Sequence, residues 1–137
     1  CRTGKSTHTS LWLKMLGDRA YIINDDKAAF RKIDDKFYVF GTPFSGKNDI
    51  NVNTSVELGG ICFVEQSETN LIERLSNDEA ISLLISQTVR PSNPDRMILL
   101  CDFLDDLLKN IPIYKLKCNI SLEAAELSYK TMSRRLL

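Results

Sequence analysis

Gly4-Lys5-Ser6-Thr7, close to the start of the chain, has the residue types and order that phosphate chemistry needs. A glycine turn lets backbone amides close around a phosphate chain at a helix N-terminus. A lysine directly after it reaches the β- and γ-phosphates, and a following hydroxyl ligates Mg²⁺. Thr3, Gly4, Lys5, Ser6 and Thr7 are therefore the candidate nucleotide-binding residues, with Lys5 on the phosphates and Ser6 on the metal. A bare Gly-Lys-Ser/Thr arises by chance in about one in fifteen chains of this size; its place at the start of a predicted helix raises its weight. In the full pattern G-x-x-x-x-G-K-[ST] the first glycine falls two residues before Cys1, so the reading expects an N-terminally trimmed loop and a strand upstream of it. Ser45-Gly46-Lys47-Asn48 shares the Gly-Lys pair but offers no hydroxyl for a metal and no helix behind it.

Three Asp-Asp doublets compete for the acid–base role, and their contexts separate them. Asp34-Asp35 divides two short strand-like runs, where Asp suits a hairpin turn. Asp105-Asp106 falls inside a helical pattern, on its solvated side. Asp25-Asp26 follows the apolar run Ala20-Tyr21-Ile22-Ile23, which places its carboxylates at a strand's C-terminal end beside the phosphate loop. There one aspartate, with Asp26 as the metal candidate, holds Mg²⁺, and its neighbour accepts the proton of a hydroxyl acceptor. Which of the two takes which role is left open, and the competing reading is a solvated strand-end turn. His8 has no Cys or carboxylate at ligand spacing, so a partly buried or surface histidine is expected. Trp12 is expected in the core. Lys47, Arg90, Asn51 and Asn53 suit a solvated loop at least as well as a phosphate or acceptor contact.

The elements that must position these groups follow from periodicity. Leu11/Met15 and Trp12/Leu16 at i,i+4 spacing predict a helix over 5–16 packed on a sheet, with Gly17 ending it. A strand over 20–23 and a β-hairpin of 28–33 with 36–40 come next. Residues 41–54, rich in Gly, Pro, Asn and Ser, read as a loop long enough to be functional. Residues 56–64 and 70–75 read as strands. Ser76 with Glu79 makes a capping box ahead of a helix with Ile81, Leu84 and Ile85 on its buried stripe, ending before Pro91. Asn93 and Pro94 start a helix with Met97, Cys101, Leu104 and Leu108 at helical spacing, which Pro112 ends. A last strand covers 113–118, and a last helix, capped by Ser121, carries Leu122, Ala125, Tyr129 and Met132 on one face.

Composition bounds the rest. The 137 residues suit a single domain of globular balance, with 43% hydrophobic and 26% charged residues. Eighteen basic and eighteen acidic residues cancel, so no whole-molecule field favours nucleic acid or anionic lipid, and any phosphate site is local. No apolar run approaches the roughly 20 residues of a membrane helix. Four cysteines without a Cys-x-x-Cys pair, and one histidine, argue against structural zinc. Cys62, Cys101 and Cys118 lie in apolar stretches as small hydrophobes, which suits a reducing cytoplasm.

Gly4-Lys5-Ser6-Thr7, the close Asp25-Asp26 pair and the stretch from Ile50 to Gly60 together resemble the HPr kinase/phosphorylase group. The nucleotide core of that group is similar to that of ATP-dependent phosphoenolpyruvate carboxykinase. Gly41-Thr42-Pro43-Phe44-Ser45-Gly46-Lys47 looks more like small HPr-kinase-related proteins than the HPr enzyme itself. The resemblance implies an α/β P-loop domain with a mixed sheet, an added β-hairpin and flanking helices. It also implies ATP and Mg²⁺ as cofactors, Lys5 and the loop on the phosphates, Ser6 on the metal, and Asp25/Asp26 in metal and acid–base roles. The activity expected is phosphoryl transfer to a hydroxyl: a seryl residue of a protein or peptide acceptor, or a small serine-like molecule. The alternatives are another P-loop NTPase or small-metabolite kinase, or a non-catalytic nucleotide- or partner-binding module. A homo-oligomer is left open.

Overall fold

The fold is that of a computed structural model, and it describes residues 5–24, 28–43, 50, 52–88 and 90–133. It is α/β, with two small sheets and flanking helices. The elements are α1 (Lys5–Leu16), β1 (Ala29–Ile33), β2 (Lys36–Phe40), β3 (Ser55–Glu57), β4 (Ile61–Gln66), β5 (Leu71–Arg74), α2 (Asn77–Gln87), α3 (Pro94–Asn110), β6 (Ile113–Cys118) and α4 (Leu122–Ser133).

The first sheet, ordered β1-β2-β3, is antiparallel throughout. Its hairpin turns on Asp34 and Asp35, whose φ angles of +50° and +68° lie in the left-handed region. A two-residue hairpin turn of this kind matches the right-handed twist of its strands, and aspartate tolerates the region better than most side chains. β1 is exposed along its whole length, while β2 turns Phe37 inward, 2% exposed, to meet Phe103 of α3 edge to face at 5.5 Å. Lys32 ties the hairpin to α3 through an ion pair with Asp106 and lies 5.8 Å from the centre of the Phe37 ring.

In the second sheet β6 runs between β4, which it pairs in parallel, and β5, which it pairs antiparallel. Strand alternation divides its side chains between two helix layers. Ile61, Phe63 and Ile113 pack with Leu84 of α2 and with Leu104 and Leu107 of α3. On the opposite face Cys62, Val64, Ile72, Leu116 and Cys118 pack with Ala124 and Leu127 of α4. Leu107 and Leu116 are wholly buried, one on each side of the sheet.

The caps hold as sequence chemistry requires. Ser76 Oγ accepts from the Glu79 amide at 3.4 Å, but Glu79 Oε1 accepts the Ser76 hydroxyl at 3.0 Å instead of reaching back to the cap amide. Asn93 Oδ1 accepts from the amides of Asp95 and Arg96 at 2.8 and 3.3 Å, with Pro94 in the first turn. Ser121 Oγ accepts from the Ala124 amide at 3.2 Å.

Several expectations shift. Residues 20–23 form no strand; Ala20 is extended but the chain bends at Ile23, whose carbonyl accepts from the Val52 amide at 2.8 Å, and Tyr21 is 66% exposed. The stretch 56–64 is two strands in different sheets, because the chain leaves β3 at Leu58-Gly59-Gly60 and enters β4 at Ile61. The buried side of α3 centres on Leu104 and Leu107, leaving Cys101 exposed. On α4 the buried residues are Ala124, Ala125 and Ser128, and Leu122 is exposed.

Candidate functional site

Lys5, Ser6 and Thr7 form the first turn of α1 and are exposed. That turn contains no acidic residue, so the positive end of the helix dipole is not offset from within. Thr9 Oγ1 donates to the carbonyls of Lys5 and Ser6 at 3.2 and 3.0 Å, and Ser10 Oγ donates to that of Ser6 at 2.8 Å. These bonds satisfy hydroxyls one turn further on, and Ser6 itself is exposed.

The position of that turn follows from its neighbours. Thr7, His8 and Leu11 share a cavity of about 20 Å³ with Gln66 at the end of β4 and with Cys118, Asn119 and Ile120 at the end of β6. The first turn of α1 therefore sits at the C-terminal edge of the parallel strand pair, the edge where open α/β sheets bind ligands.

α1 is held there by α4. His8 is only 7% exposed, deeper than its lack of ligand partners led one to expect. Its Nε2 lies 2.8 Å from Ser128 Oγ, and the Trp12 Nε1–H donates to the same oxygen at 2.8 Å. The Ser128 hydroxyl donates to the Ala125 carbonyl at 3.0 Å, so its lone pairs take both ring N–H groups. This network assigns the His8 proton to Nε2 and leaves Nδ1 buried without a hydrogen-bond partner. Burial pushes the His8 pKa down, favouring the neutral ring. Trp12 is half-buried and meets Tyr129 edge to face at 5.6 Å. Sequence reasoning missed this anchor, since Ser128 and His8 stand 120 positions apart and a lone serine carries no pattern.

Thr3, Gly4, Asp25 and Asp26 lie outside the described residues, as do Lys47 and Asn51. The residue before the doublet is fixed: Asn24 Nδ2 donates to the Thr42 carbonyl at 3.0 Å, next to the Val52–Ile23 backbone bond and the Gly41 amide bonded to Thr54 O at 3.0 Å. The strap 22–24 is thus stitched to both ends of the 41–54 loop. Asn53 and Arg90 are exposed. Among the described residues no three His, Cys, Asp or Glu side chains gather as a metal centre. Of the two candidate metal ligands, Ser6 lies among the described residues, in the exposed first turn of α1.

Two of the thiols behave as core groups. Burial, with Cys118 nearby, pushes the Cys62 thiol up to about 12, and burial also raises Cys118. Among the described residues no helix is long and apolar enough to cross a membrane. Set against known protein families, curated proteins and solved structures, the chain finds no match in any of the three.

Proposed function

We propose that this chain forms the nucleotide-binding part of an HPr-kinase-like P-loop kinase, transferring the γ-phosphoryl group of ATP to a hydroxyl. The observation that carries the reading is the exposed Lys5-Ser6-Thr7 first turn, free of acidic residues, at the C-terminal edge of β4 and β6. First-turn amides and the helix dipole favour an anion there, and Lys5 adds a cation.

Ser6 offers a hard oxygen of the kind Mg²⁺ takes, and Asp26 would be the second ligand. Bound Mg²⁺ would neutralise charge on the β- and γ-phosphates. Lys5 and the loop amides hold the phosphate chain, and one of Asp25 and Asp26 receives the acceptor's proton. The acceptor oxygen bonds to the γ-phosphorus as the bridge to the β-phosphate breaks, and ADP leaves. A seryl side chain of a protein or peptide, or a small serine-like molecule, is the acceptor class.

Two variants, made in a chain extended upstream through the whole loop, test this. Lys5→Ala removes a cation that pairs with phosphate in ground and transition states, so nucleotide affinity and turnover both fall. Asp25→Asn with Asp26→Asn keeps side-chain shape and leaves amide contacts to phosphate, so nucleotide still binds while transfer drops by about 10²-fold or more. Calorimetry with ATP·Mg²⁺ and a radiolabel transfer assay to seryl peptides and free serine measure the two. Binding without turnover under every acceptor would favour a non-catalytic module. Retained transfer in the double variant, with loss in Asp34→Asn, Asp35→Asn, would move the carboxylates to the hairpin.

A further inference from the structure

Apolar patterning alone places α1 poorly. Only His8 and Leu16 are buried in it, while Leu11, Trp12, Leu13 and Met15 are half-buried. Helical geometry spreads the apolar side chains from Leu11 to Leu16 over about 200° of the circumference. That is wider than the stripe that sets an ordinary amphipathic helix on its core. Burial therefore favours several rotations of α1 about its axis to a similar degree.

The polar junction with α4 does not share this ambiguity. His8 and Trp12 stand one turn apart on one side of α1, about 6 Å along its axis, and both N–H groups end on the single Ser128 oxygen, each at 2.8 Å. Ser128 is 1% exposed and its own proton is committed to the Ala125 carbonyl at 3.0 Å, so the acceptor is fixed in place. Turning α1 by one residue's step would carry His8 off that oxygen and strand a buried N–H without a partner. Ser6, Ser10 and Lys14, again one turn apart, are exposed on the opposite side of the helix. The rotation that brings His8 and Trp12 to Ser128 is thus the one that turns Ser6 to solvent.

We propose that Ser128 is a positioning residue: by holding His8 and Trp12 it fixes the rotation of α1, and with it the direction in which Lys5, Ser6 and Thr7 present their amides and side chains at the ends of β4 and β6. The consequence for ligand binding rests on the phosphate reading of that turn; the rotational role does not. Ser128 lies on α4 and is buried, so it acts on a ligand only through α1. A fully satisfied buried polar network specifies one arrangement where apolar contact tolerates several. If shape alone set the helix, any side chain of serine's size would serve at this position.

NMR of the 137-residue chain and calorimetry with ATP·Mg²⁺ on the chain used for the kinase test compare the native protein with Ser128→Ala, Ser128→Cys and Leu84→Ala. Cysteine fills the serine's space with a weak acceptor. Leu84 packs in the helix layer on the other face of the sheet, so its truncation lowers stability away from α1. Trp12 is the sole tryptophan, which makes its indole N–H a single signal. In both Ser128 variants that signal shifts and exchanges faster with solvent, and the amide signals of Lys5, Ser6 and Thr7 shift or split; Leu84→Ala leaves all of them native. Below each melting temperature, nucleotide affinity falls by about tenfold in the Ser128 variants and by no more than about twofold in Leu84→Ala. Where Ser128→Ala does not fold, Trp12→Phe, which removes one N–H from the junction and keeps a ring, carries the first-turn measurement. Unchanged first-turn signals, a native-like Ser128→Cys, or an equal affinity loss in Leu84→Ala overturns the inference. A native chain that binds no ATP·Mg²⁺ sinks the kinase proposal alone and leaves the amide signals to decide the positioning role; native binding that survives intact in Ser128→Ala sinks the positioning role alone.

Discussion

Ser128→Ala removes a single oxygen that serves three partners, which makes it the sharpest probe of how α1 is anchored. The His8 Nε2–H loses its acceptor in a site where the ring is 7% exposed, and a buried donor left unsatisfied costs about 1–3 kcal/mol. The Trp12 Nε1–H loses its 2.8 Å bond too, but that ring is only part-buried, so water recovers part of the loss and up to about 1 kcal/mol is added. The Ala125 carbonyl keeps its helical environment, and alanine returns about 0.5 kcal/mol of helix propensity. The net loss is about 2 kcal/mol, which lowers the melting temperature by about 6–10 °C for a domain of this size. Urea denaturation followed by tryptophan fluorescence measures it directly, because Trp12 is the sole tryptophan. His8→Leu combined with Ser128→Ala should cost less than the two single changes added, since the orphaned donor vanishes with its ring. A loss within about 0.5 kcal/mol, the usual scatter of surface substitutions, would mean that the hydroxyl does not bridge α1 to α4, and additive costs in the cycle would refute the shared network.

Two further outcomes follow from the same chemistry, and a third from the hairpin. His8 has its folded pKa held below 6.5, so the unfolded chain binds protons more readily at acid pH; its stabilising contribution is complete above 6.5 and is lost as pH falls from there towards the folded value. Urea midpoints at about pH 8 and about pH 5 should therefore converge in His8→Leu relative to the native chain. Alkylation with mass-spectrometric mapping should modify exposed Cys101 well before Cys62, because a pKa near 12 cuts the Cys62 thiolate fraction by about a thousandfold against an ordinary thiol. Asp35→Gly relieves the φ of +68° and should raise stability by about 0.5–1 kcal/mol in the same urea assay; the Lys32–Asp35 contact it removes, 3.9 Å long on a 99% exposed carboxylate, adds nothing measurable against this.

The elements that were legible are those whose signals are local. Ser121 caps α4, Asn93-Pro94 opens α3, Pro112 ends it, and β6 falls on Ile113–Cys118 because a bounded apolar run meets a capped helix at each side. The elements that were not legible depend on partners distant in the chain. Ala20 to Ile23 has the apolar content of a buried strand, yet a strand needs a ladder, and the described structure gives it only the Val52 amide. The run from Val56 to Val64 has no break in apolar content strong enough to reveal that its halves join different sheets; only Gly59-Gly60 mark the change. Helical periodicity on α3 put Cys101 and Leu108 on the stripe with Leu104, yet burial falls on Leu104 and Leu107, which share a cluster with Phe37 of the hairpin, a partner distant in the chain.

The candidate site divides along the same line. Lys5, Ser6 and Thr7 open α1 as the sequence predicts, because a glycine turn ahead of a helical period is a contiguous, local signal. Their placement at the end of β4 and β6 follows from α1, but what fixes α1 was invisible: a histidine, a tryptophan and a serine from opposite ends of the chain meeting on one hydroxyl. That arrangement couples the first turn to α4 through a buried neutral imidazole one turn inside it, with Thr7 and His8 adjacent in sequence and lining the same cavity. A charge placed on His8 would therefore act on the same turn that is proposed to hold phosphate, by loosening the helix that positions it. The residue that looked least informative in the motif's surroundings is thus the one through which the fold sets the motif's position.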